Sequence, residues 1–129
     1  MIITIKDETF SGKILQELEL EFKTDVVTVR DIIVGRVTRE VENYNNKLPE
    51  YFNGLIEPTD AEKTLNGYKL RSKKVIDAEK QAYTALDAFQ KNGFFVLVDN
   101  IQSESLDQQI ELKKNTLISF IKLTPLIGG

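Results

Sequence analysis

The chain contains no cysteine and no histidine. Without thiols no disulfide framework can form, which excludes a stapled secreted domain. A Cys/His metal site, a cysteine nucleophile and a histidine general base are excluded on the same ground. A basic excess is missing too: 17 Lys and Arg stand against 20 Asp and Glu, for a formal net charge of −3. Phosphate binding needs a concentrated basic surface, so no nucleic-acid partner is expected. No apolar run approaches the ~18 residues of a membrane span, so no membrane partner is expected either. The opening "MIITIKDETF" lacks the basic and long apolar regions of a secretory signal, and a cytoplasmic location is the expectation. Any chemistry must run on carboxylates, lysine, tyrosine, hydroxyls or the chain terminus.

What is present suits one domain: 129 residues, 41% hydrophobic and 29% charged. "MIITI" (1–5) reads as a first strand. "QELELEF" alternates strictly, with Leu18, Leu20 and Phe22 on one face and Glu17, Glu19 and Glu21 on the other. The polar stretch between them, with Gly12, predicts a hairpin. In "TVRDIIVGRVTREVENYNN", Val29, Ile32, Ile33, Val37, Val41 and Tyr44 recur at helical spacing, and Thr28 with Asp31 forms an aspartate version of the capping box. "TDAEKTLNG" predicts a short helix capped by Thr59, boxed by Glu62 and ended at Asn66-Gly67. "VIDAEKQAYTALDAFQKNG" predicts a longer one, with Val75, Ala78, Ala82, Leu86 and Phe89 as its apolar stripe and Asn92-Gly93 as its C-cap. "FFVLVDN" suits a strand buried on both faces, "QQIEL" a short strand, "KKNT" a turn and "LISFIKL" a last strand. Strands grouped around helices without βαβ alternation indicate α+β, a small mixed sheet packed on a central helix.

Each candidate site has a plain reading beside it. Gly128-Gly129 after the last strand is either a thin tail, free of side chains, that presents its carboxylate to an enzyme, or an idle end. In the last strand Leu117, Ser119, Ile121 and Leu123 take one face and Ile118, Phe120 and Lys122 the other. Both faces are largely apolar, so one is either a partner surface or covered by the segment 46–93. Ile118 and Phe120 are the candidate partner residues, because Lys122 shares their face. Glu17, Glu19 and Glu21 read as a solvated face opposite Lys6 and Lys122, not a metal or acid/base site. Tyr51 and Phe52 in "LPEYFNG" are either a ligand contact or a plug in their own core. Asp77, Glu79 and Lys80 are ordinary helix-surface charges.

The run "VLVDNIQ", "SLDQQIEL", "KKNT", "LISFIKLTPLIGG" resembles the C-terminal half of the MoaD/ThiS sulfur carriers, which share the ubiquitin-like β-grasp fold. The matching positions are Val98 to Asn100, Leu112, Lys114-Asn115, Ile118 to Leu123, Pro125 and Gly128-Gly129. "MIITI" and "VTVRDII" are similar to the family's first strand and to its entry into the central helix. The resemblance spans residues 1–45 and 94–129 and implies a single β-grasp domain, 1–129, with a helical insertion at 46–93. That insertion, the missing glycine at Lys113–Thr116 and Thr124 in place of an apolar residue or proline are departures from the pattern. It further implies that the chain is no enzyme and binds no cofactor. An E1-like adenylyltransferase (MoeB/ThiF-like) would use ATP to adenylate Gly129, and sulfur or an amine would then displace AMP. The partners implied are that enzyme and a sulfur-accepting one, with Pro125, Leu126, Ile127, Phe120 and Ile118 at the interface. Since the sequence stops at Gly129, no protease is expected to be needed. A lysine-linked protein modifier, and an interaction module that binds through 46–93, remain the alternatives.

Overall fold

The computed structural model describes residues 1–71 and 75–122. In chain order its elements are β1 (Ile2–Glu8), β2 (Ile14–Glu21), β3 (Val26–Thr28), α1 (Val29–Lys47), β4 (Ala61–Thr64) and β5 (Gly67–Leu70). They continue with α2 (Ala78–Gln90), β6 (Phe94–Val98), β7 (Ile101–Gln102), β8 (Gln109–Glu111) and β9 (Ile118–Lys122). The fold class is α+β. Two compact units divide the chain, Met1–Ile32 with Ala88–Gly129, and Ile33–Asp87.

The first unit carries a five-stranded mixed sheet in the order β2-β1-β9-β6-β7. β1 pairs antiparallel with β2 and parallel with β9, from Ile5↔Ile118 to Glu8↔Ile121. β6 runs antiparallel to both β9 and β7. The first and last strands are therefore adjacent. Period-2 patterning sets which face is buried: Ile3, Ile5, Leu20, Phe94, Val96, Ile118 and Phe120 all lie in the core. The rings of Phe94 and Phe120 stack at 5.7 Å. β3 and β8 form a separate two-stranded pair.

Local chemistry ends each element. The β1–β2 turn closes with Thr9 N donating to Lys13 O at 2.9 Å, and Gly12 takes φ +88°, a value that disfavours a side chain. Asp99 and Asn100 both adopt positive φ, 49° and 66°, as a two-residue type I′ hairpin between β6 and β7 requires. At α1 the capping box is reciprocal: Asp31 N donates to Thr28 Oγ1 at 3.1 Å and Thr28 N to Asp31 Oδ2 at 2.9 Å. All six stripe residues expected for α1 are buried. In "KKNT", Thr116 N donates to Lys113 O and Lys113 N to Thr116 Oγ1.

The second unit departs from the sequence reading. Residues 61–70 form an antiparallel hairpin, not a helix. Asn66-Gly67, read as a helix terminator, spans the end of the Leu65-Asn66 turn and the start of β5: Gly67 has φ +121°, and Thr64 Oγ1 donates to Gly67 O at 2.7 Å and accepts from Asn66 N. The segment 46–93 is therefore not purely helical. In α2 the N-cap is Asp77, whose Oδ1 accepts from Glu79 N and Lys80 N at 3.0 and 3.2 Å. The buried row is Gln81, Ala85 and Phe89; Ala78, Ala82 and Leu86 are only half-buried, and Val75 lies before the helix, exposed. At the other end Asn92 takes the left-handed cap position, φ 61°, and Gly93 N donates to Ala88 O at 2.8 Å. β6 alternates instead of being buried on both faces, since Phe95, Leu97 and Val98 are half-buried. Among the described residues, no helix is long and apolar enough to cross a membrane.

Candidate functional site

Pro125, Leu126, Ile127, Gly128 and Gly129 lie outside the described residues. What is described is the strand that leads to them. β9 occupies the middle of the sheet, between β1 and β6. Ile118 and Phe120 are 1% and 0% exposed, so they offer a partner no surface. This corrects the expectation drawn from Lys122. Lys122 sits at the strand end in register with Phe94, and the face it shares is the core face. The opposite face holds Leu117, exposed, with Ile121 and the neighbouring Phe95 and Leu97 half-buried. Exposed Phe10 meets Phe95 edge-on at 6.2 Å.

Asp7 escaped the sequence reading. It follows Ile3 and Ile5 on the core face and is buried, with Gln16 Nε2 donating to its Oδ2 at 2.7 Å. Its register partners are Gln16 and Phe120. The alternation of β1 places residue 7 inward, which is the signal that identifies it. Glu17, Glu19 and Glu21 are exposed, as expected of a solvated face. Glu17 pairs in register with Lys6, but Lys122 is two strands away from β2. Among the described residues no three His, Cys, Asp or Glu side chains converge to hold a metal ion.

The second unit contains a buried ion pair that also escaped that reading. Arg36 is 0% exposed, and its Nε donates to Glu40 Oε1 at 3.1 Å. Glu40 Oε1 also accepts from Leu55 N at 3.2 Å, which ties the loop after α1 to the helix. The signal lay in the spacing: Arg36 and Glu40, four apart, fall within the apolar stripe. Phe52 plugs its own core. It meets Tyr44 edge-on at 5.4 Å and exchanges two backbone hydrogen bonds with Tyr68. Burial raises the Tyr44 phenol above its ordinary range, and burial followed by the Glu57 carboxylate raises that of Tyr68.

Two cavities stand out. One of about 500 Å³ in the first unit borders Arg30, Phe94, Ser103 and Asp107. Its rim carries the Arg30–Asp107 ion pair at 3.2 Å. The other, about 530 Å³ in the second unit, borders the start of α2. No family model, curated protein or solved structure matches the chain.

Proposed function

We propose that the chain is a ubiquitin-like sulfur carrier of the β-grasp class, activated at Gly129. The observation that carries this reading is the place of β9: the last described strand lies centrally, parallel to β1, and in the sequence is followed by Pro125 and Gly128-Gly129. The sheet order β2-β1-β9-β6-β7, which puts the first strand beside β9, supports this reading. A strand held on both sides gives a firm base for a thin terminal segment. Glycines let that segment enter a narrow channel, because no side chain has to pass.

The chemistry needs one group from this chain. A Gly129 carboxylate oxygen attacks the α-phosphorus of ATP, pyrophosphate leaves, and an acyl adenylate forms. Hydrosulfide then attacks the carbonyl carbon, the bond to AMP breaks, and a thiocarboxylate remains. The E1-like partner supplies every catalytic group, and a sulfur-accepting enzyme consumes the product.

The test is an intact-mass measurement on the protein isolated from its own cells. A chain ending at Gly129 with one oxygen replaced by sulfur supports the proposal. Isopeptide adducts on other proteins would favour the modifier reading instead. If neither is found and deletion of Gly128-Gly129 leaves the cellular function unchanged, both readings fail.

A further inference from the structure

β2 is an outer strand of the five-stranded sheet, bonded to β1 on one side. The phase of that ladder decides which of its backbone groups are spent. Met1 N donates to Phe22 O and Phe22 N to Met1 O, both at 2.8 Å, so these residues form a hydrogen-bonded pair. Such pairs alternate along an antiparallel ladder. Leu20 and Leu18 therefore bond to Ile3 and Ile5. Glu21, Glu19 and Glu17, in register with Ile2, Thr4 and Lys6, turn their N–H and C=O groups away from β1. Among the described residues these three glutamates have no hydrogen-bond partner on that outer side and no ion pair. The register shift of the ladder lies beyond them, at Asp7/Glu8, so the edge from Gln16 to Glu21 is uninterrupted.

A row of unpaired backbone donors and acceptors is a template for another strand. The side chains decide which strand can use it. Glu17, Glu19 and Glu21 are exposed on one face. On a strand added antiparallel, the residues directly opposite them share that face. Two copies of this chain joined about Glu19 would set Glu19 against Glu19 and Glu17 against Glu21, so the edge repels its own kind. The same carboxylates attract Lys or Arg at those positions, which makes one set of charges both guard and selector. Residues between them fall on the other face beside Leu18, half-buried at the rim of the core, and this favours apolar side chains there.

We infer that the β2 edge takes up an extended segment of another protein as a sixth strand of the sheet, with Lys or Arg at every second position of that segment and apolar residues between. The site uses no part of Gly128-Gly129, so it stands or falls separately from the carrier reading.

The whole chain is titrated by amide NMR with the acetylated peptide amide Lys-Val-Lys-Val-Lys. The controls are the same peptide methylated on its backbone nitrogens, which keeps the charge and removes the donors, and Glu-Val-Glu-Val-Glu. Expected are saturable shifts centred on β2 and slowed hydrogen exchange at the Glu17, Glu19 and Glu21 amides. Both controls should bind at least about tenfold more weakly. The exposed substitution Glu19→Lys should weaken binding of the lysine peptide about fivefold. No binding of that peptide, equal binding of its methylated form, unchanged exchange at the three amides or undiminished affinity in Glu19→Lys would overturn the inference. So would a dimer of the chain that protects the same amides without peptide.

Discussion

The two units are held together by different means. In Met1–Ile32 with Ala88–Gly129, a sheet buries one apolar face, and the centre is occupied by Ile5, Ile118, Phe120 and Val96. In Ile33–Asp87, polar side chains fasten backbone. Glu40 holds Arg36 and Leu55 N, and Asn45 grips Ile76 from both sides, donating to its O at 2.9 Å and accepting from its N at 2.7 Å. Apolar burial tolerates small displacements because it has no direction. A directed bond to buried backbone does not, since losing one partner leaves the other unsatisfied. The first unit should therefore fail by cavity formation, the second by loss of individual fastenings.

The sharpest test of that contrast is Phe120→Ala. It opens a void at the sheet centre and should destabilise by about 4 kcal/mol, read from urea unfolding. Glu40→Ala should cost about 3 kcal/mol in the same assay, because it removes the carboxylate paired with a buried guanidinium. The pair Arg36→Met with Glu40→Met should lose less than Glu40→Ala alone, since removing both charges leaves none uncompensated. Were the double variant worse than the single, the ion pair would not be what fastens this unit. Asn45→Ala should cost about 2 kcal/mol by leaving Ile76 N and O without their side-chain partner, and amide exchange at Ile76 should accelerate.

The smallest effect concerns pH, and all four tyrosines, Tyr44, Tyr51, Tyr68 and Tyr83, fall in the second unit. Tyr44 and Tyr68 have phenols raised in the folded state. Their protonated forms are favoured by folding, so that contribution is complete below the unfolded value of about 10 and is lost as pH rises through the folded value. Urea midpoints should begin to fall as pH rises above about 10, and Tyr44→Phe should reduce the slope.

Legibility followed periodicity and not the division into units. Elements shaped by periodicity could be read directly: the α1 stripe, the alternation of β2 and the Thr28–Asp31 box. The hairpin at 61–70 could not, because Thr59 and Glu62 imitate a helix start and Asn66-Gly67 serves a helix end or a hairpin turn equally. Gln81 was missed because counting apolar residues passes over a buried amide. Ile118 and Phe120 were misplaced because Lys122, at the end of its strand, says little about the middle.

One consequence of the sheet order is mechanical. β1 and β9 are adjacent and parallel, so the start of one and the end of the other lie at opposite ends of the pair. A force drawing these two ends apart loads the hydrogen bonds between Ile5–Glu8 and Ile118–Ile121 in shear, all together, instead of peeling them one by one. A pull between these two ends therefore meets several hydrogen bonds at once.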